Sequence, residues 1–161
     1  MNQIYRDDSV ALHTDRYQLN MGEVYWADGL HNRKAVFEVF FRKMPFGNGY
    51  AIFAGLERVV RFLQQFRFSD TDLAYLKEEG FDSGYLDFLR ELRFTGTVRS
   101  MREGELAFAG EPLMRIEAPL IQCQLIETAI LNIVNYQTLI ATKASRIKHM
   151  IGSDTALEFG T

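Results

Sequence analysis

With 161 residues, 47% of them hydrophobic and 24% charged, the chain is one domain's worth and long enough to bury a core, which excludes a disordered segment. A net charge of −3 leaves no basic surplus to neutralise phosphates and argues against a nucleic-acid partner. The single cysteine, Cys123, cannot close an internal disulfide and fits a reducing, cytoplasmic setting. Residues Met1 to Asp8 lack an apolar run and carry two acids, so they do not read as a signal peptide.

In chain order, residues 14–28 read as a helix, with Thr14 or Asp15 as cap, Leu19, Val24 and Trp26 as apolar area, and Gly29 as the stop. Residues 35–41, Ala-Val-Phe-Glu-Val-Phe-Phe, are β-branched and aromatic and predict a largely buried strand. Met44 to Gly49 form a turn cluster in which Pro45 ends the strand. From Tyr50 to Phe66 the spacing of Ile52, Leu56, Val59, Val60 and Leu63 predicts an amphipathic helix. Two shorter helices are expected at 70–79 and 83–91, capped by Ser69 or Asp70 and by Asp82 or Ser83.

The region 94–117 changes character. Thr95 to Val98, Leu106 to Phe108 and Leu113 to Ile116 predict three short strands parted by Glu103-Gly104 and Gly110-Glu111-Pro112 turns. Pro119 then opens a long helix to about Met150, with Gly152 as its stop. Its uncharged stretch, Thr128 to Thr142, is short for a bilayer and broken by Asn132, Asn135, Gln137 and Thr138, so a buried helix is expected and no membrane span. The mixture lacks regular βα alternation, which defines an α+β domain over residues 1–153.

On the long helix, Thr128, Asn132, Asn135, Thr138, Thr142 and Ser145 recur every three or four residues and share a face. Buried hydroxyls and amides need partners, so this stripe either bonds neighbouring backbone or lines a polar ligand cavity. Lys143 and Arg146 at its end suit an anionic ligand, or more simply the helix dipole. His13, His31 and His149 have no ligand-spaced neighbours, so no metal site is expected. Cys123, in an apolar helix, reads as a structural thiol. Gly47-Asn48-Gly49 lacks the rest of either common phosphate loop. No catalytic set is complete within the stretch.

The closing residues 154–161 read as a strand through Ala156, Leu157 and Phe159 that runs into Gly160, the way a strand delivers side chains to a site at its carboxyl end. A lone strand is unstable. The sequence is therefore expected to be the front of a larger enzyme, cut at the lip of its active site.

Three segments together resemble nicotinate phosphoribosyltransferase, a type II phosphoribosyltransferase. They are His13-Thr14-Asp15-Arg16-Tyr17-Gln18-Leu19-Asn20-Met21; Phe37 to Phe46 with Gly49 to Leu56; and Glu127 to Asn132 with Ala141 to Ala144. Leu157-Glu158-Phe159-Gly160-Thr161 fits as well. The resemblance runs through nearly the whole chain in order. It implies an enzyme that makes nicotinate mononucleotide and pyrophosphate from nicotinate and phosphoribosyl pyrophosphate in NAD salvage, with Mg²⁺ and coupled ATP hydrolysis through a phosphorylated histidine. It further implies an N-terminal α+β domain joined to an irregular α/β barrel, whose first strand would be Ala156 to Phe159. The 154–161 segment would then be all of the barrel that is present. Active sites would be shared across a homodimer.

By the same resemblance, Tyr17 should reach into the partner subunit's site and stack on the pyridine ring, Phe159 should stack on the opposite face in its own subunit, and Arg42 should contact substrate phosphate. Asp15, Asn135 and Tyr136 are further substrate-binding candidates, placed by motif or by the polar stripe. The histidine and the phosphate-site residues would lie beyond Thr161, so the stretch alone is expected to be inactive. Two alternatives stay open: a relative acting on nicotinamide or quinolinate, and a non-catalytic dimerisation or binding module without the barrel.

Overall fold

A computed structural model describes residues 10–44 and 47–157. A 3₁₀ turn, Val10–Leu12, leads into α1, Arg16–Ala27. β1, Lys34–Val39, is followed by the short β2, Ala51–Ile52, and by α2, Leu56–Gln65. Next come α3, Asp70–Glu78, and α4, Ser83–Glu91. The strands β3, Thr97–Ser100, β4, Leu106–Ala107, and β5, Met114–Pro119, precede the 32-residue α5, Leu120–Ile151.

Two antiparallel sheets form, one in the order β1-β5-β3 and one pairing β2 with β4. In the larger sheet Ile116 of β5 faces Phe37 on one side and Val98 on the other. Alternation along β5 buries Met114, Ile116 and Ala118 and turns Arg115 and Glu117 outward. The buried face packs under α5, which also contacts α1, α2 and β2. The first half of α5 supplies fully buried Ile121, Leu125, Ile126 and Ile130, each worth about 1.5–3 kcal/mol of transfer from water. At 1.5 Å per residue the helix runs about 48 Å, so one element links the core to everything along its flank.

Most expected elements form within a residue or two of their sequence signals. Ser69 and Asp72 make a reciprocal capping box at α3, and the Asp82 carboxylate accepts from the Gly84 and Tyr85 N–H groups at α4. The helix expected from Tyr50 is a correction: Ala51 and Ile52 are strand, and the helix starts at Leu56. Gly55 explains the break, because its φ of 112° lies where only glycine sits without strain. Of the expected barrel strand, residues 154–157 are described and belong to no strand. Phe159 lies outside the described residues.

Candidate functional site

The start of α1, the end of β1 and the middle of α5 meet around a cleft of about 430 Å³. α1 brings Asp15 and Tyr17, and β1 with its exit brings Val39, Phe40 and Phe41. α5 brings Glu127, Thr128, Leu131, Asn132 and Asn135 from successive turns of one flank, while Leu113 and Val134 are buried in the lining. Tyr17 and Phe40 remain about half exposed, at 52% and 47%, so aromatic surface is available to a ligand. The described lining carries two carboxylates and no cation.

Asp15 sits at the N-cap of α1 in extended backbone, yet its carboxylate makes no capping bond. It accepts from the Thr128 hydroxyl instead, at 3.0 Å, and this ties α1 to α5 across the cleft. Beneath Tyr17 lies Gln18, which is fully buried. Its Nε2 donates to the Tyr17 hydroxyl at 2.7 Å and to Glu127 Oε2 at 3.2 Å, while its Oε1 accepts from the Gln124 amide. Desolvation, then the Glu127 and Asp15 charges, push the Tyr17 hydroxyl above its ordinary value, against a lowering contribution from the Gln18 hydrogen bond. These effects favour the neutral, proton-bearing form of Tyr17.

A second cleft of about 400 Å³ adjoins the first and shares Val39, Phe40, Glu127 and Leu131 with it. Arg42 and Glu38 line it, together with the apolar Phe37, Ile116, Ile126 and Ile130. Cys123 also borders it, but the thiol is buried and raised by burial, as a structural cysteine should be.

The structure thus brings Tyr17, Asp15 and Asn135 to one cleft and Arg42 to the next. Tyr136 lines neither, pointing instead to solvent at 66% exposure. The polar stripe of α5 divides between its two readings. Thr138 and Thr142 are buried and bond backbone of residues 52–54, and Ser145 bonds the Thr142 carbonyl. Thr128, Asn132 and Asn135 line the cleft. Of the two cations near the end of the helix, Arg146 donates to Asn48 Oδ1 and Lys143 is exposed. Gln18, Gln124 and Glu127 escaped the reading of candidates, although Gln18 and Glu127 stand inside the quoted motifs. A polar side chain next to an aromatic candidate was the available signal.

Among the described residues no three His, Cys, Asp or Glu side chains converge to hold a metal.

In class, this is a helix-backed antiparallel α+β domain with an aromatic, acidic cleft at its edge. The same fold occurs in nicotinate-nucleotide pyrophosphorylase from Pyrococcus furiosus, with TM-score 0.68 and 22% identity over 92% of this chain and 32% of that one. A family model described as the nicotinate phosphoribosyltransferase (NAPRTase) N-terminal domain matches residues 12–135. The chain belongs to that family. It is 61% identical to the nicotinate phosphoribosyltransferase of Bacillus subtilis over 158 residues, 98% of this chain and 32% of that protein. It is 44% identical to the Caenorhabditis elegans protein of the same name, over 91% of this chain and 27% of that one. The crystal structure of human nicotinic acid phosphoribosyltransferase superposes with TM-score 0.83 at 41% identity, covering 91% of this chain and 30% of that one. The chain spans about a third of the length of these relatives.

Proposed function

We propose that these residues are the N-terminal portion of a nicotinate phosphoribosyltransferase. Such an enzyme joins nicotinate to phosphoribosyl pyrophosphate: the pyridine nitrogen bonds to the ribose anomeric carbon as the bond to pyrophosphate breaks. The products are nicotinate mononucleotide, for NAD salvage, and pyrophosphate. The observation that carries the reading is 61% identity over 98% of the chain to a protein of that name. The cleft at Tyr17 supports it, because it offers an exposed aromatic ring beside hydrogen-bonding groups to a flat heteroaromatic acid.

In this reading the Tyr17 ring packs on the pyridine, and Arg42 supplies a charge-assisted bond to substrate phosphate. Phe159 faces the opposite side of the ring. Asp15 and Asn135 border the ring slot. ATP hydrolysis, Mg²⁺, a cytoplasmic location and a homodimer with shared sites belong to the same proposal, and their binding groups fall largely to the remaining two-thirds of the protein. The isolated 161 residues are accordingly inactive.

The test is steady-state turnover by the full-length protein with nicotinate, nicotinamide and quinolinate as competing acceptors. Preference for nicotinate supports the proposal, and preference for either of the others replaces it. Tyr17→Ala should raise the nicotinate KM about tenfold if stacking worth roughly 1.4 kcal/mol is lost. An unchanged KM would return Tyr17 to a packing role.

A further inference from the structure

The Tyr17 hydroxyl has a fixed hydrogen-bonding direction, and it is set from behind. Gln18 lies at the centre of a chain of three amide and hydroxyl groups, in which every hydrogen-bonding role on its side chain has a partner. Both contacts of its Nε2 are donations, to the Tyr17 hydroxyl at 2.7 Å and to Glu127 at 3.2 Å. A carboxylate accepts only, so the second contact fixes which end of the Gln18 amide faces the cleft. In that orientation Gln18 Oε1 accepts from the Gln124 amide on the other side. Gln18 is fully buried and Gln124 nearly so, at 6% exposure, which leaves neither free to exchange these partners with water.

A phenol that accepts a hydrogen bond from behind keeps its own hydrogen for something else. We infer that Gln18 and Gln124 are positioning residues that hold the Tyr17 hydroxyl as a hydrogen-bond donor toward an acceptor on the ligand. The acceptor belongs to the bound heteroaromatic acid, so the inference rests on the function proposed above and deepens it. The neighbouring Glu127 and Asp15 charges favour the protonated phenol and so preserve the donor.

The experiment is a double-mutant cycle in the full-length enzyme, read as KM for nicotinate against kcat, with thermal unfolding recorded for each variant. Tyr17→Phe keeps the ring and removes the hydroxyl; KM should rise about fivefold to tenfold, with the change concentrated in KM. Gln18→Glu is close to isosteric but replaces the donor by an acceptor, which turns the Tyr17 hydrogen inward. It should raise KM to a similar extent, and by no further factor in the Tyr17→Phe background. Gln18→Met removes the amide without adding charge and supplies the same comparison should the glutamate variant unfold.

Additive effects of the two substitutions would overturn the inference and leave Gln18 a packing residue. So would a Tyr17→Phe enzyme with unchanged KM. If Tyr17→Ala raises KM while Tyr17→Phe does not, stacking stands and hydroxyl donation fails. If neither does, the placement of Tyr17 at the substrate fails with it.

Discussion

Gly96 marks a point where one methyl group would collide with backbone. A β-carbon there would stand 2.6 Å from the Ala118 Cβ and 2.7 Å from the Glu117 carbonyl oxygen, both on the central strand β5. Neither atom can swing aside, so Gly96→Ala should cost about 1–3 kcal/mol. Gly29 is the useful contrast, because its φ is +69° but nothing lies within 4 Å. Gly29→Ala should cost only the strain of the left-handed conformation, about 1 kcal/mol. Thermal unfolding of the two variants of the full-length protein checks the order, and equal losses would show that the sheet yields at Gly96. No periodicity announces such a contact, since it depends on which strand lies alongside. The same reason hid Gln18 and Gln124 among candidate site residues. Tyr17 and Asp15 were legible because they stand in a recognisable motif, whereas the burial of an amide exists only once α1 has packed against α5.

At the scale of elements, the end of β2 and the residues that follow it are held by threonines of α5. Thr142 Oγ1 accepts from the Ile52 N–H at 2.9 Å and donates to the Thr138 carbonyl, and Thr138 Oγ1 bonds both the N–H and the carbonyl of Ala54. Thr142→Val keeps the shape and orphans the Ile52 N–H, a loss of about 1–3 kcal/mol measurable by chemical denaturation. Loss within error would mean that water replaces the hydroxyl. This arrangement also shows why residues 50–66 looked like one helix: Ile52 falls in phase with Leu56 and Val59, but its N–H is claimed by another element across ninety positions of sequence. The helices at 70–78 and 83–91, by contrast, carry their caps within their own sequence and were readable from it. On the solvent face of the larger sheet, Glu117 meets Lys34 and Arg99 at 3.0 Å and Arg115 at 3.3 Å. The hydrogen bond and charge of Lys34, aided by the two arginines, hold the Glu117 carboxyl below the usual carboxylate range. A lowered folded value means that the stabilisation is complete above the unfolded carboxylate value and is lost as pH falls through the folded one. Glu117→Gln should therefore leave stability in acid unchanged, lower it slightly at neutral pH, and so flatten the acid limb, by a small amount because the cluster is solvent-screened. An acid limb identical to that of the parent would assign the dependence to other carboxylates.

Across the whole molecule, α5 connects a packed core at one end to an exposed flank at the other. Residues 121–126 are buried without interruption, whereas Tyr136, Ile140, Ile147 and Met150 lie open along its second half. The candidate cleft sits at the transition, bordered by elements from opposite ends of the sequence. Tyr17 projects from that border with half of its surface exposed. The proposed shared site makes this testable in a way that single variants cannot. Full-length Tyr17→Ala subunits, impaired in what they offer a partner, are to be mixed and reassembled with subunits inactivated in the remaining two-thirds of the protein. If Tyr17 completes the neighbour's site, a hybrid dimer contains one position that combines an intact Tyr17 with intact chemistry, and activity should recover toward half that of the parent per hybrid. If Tyr17 serves its own subunit, that combination never forms, because the Tyr17→Ala subunits keep the chemistry and lack the ring. Activity then stays at the sum of the two impaired parents, and the site is contained within one subunit.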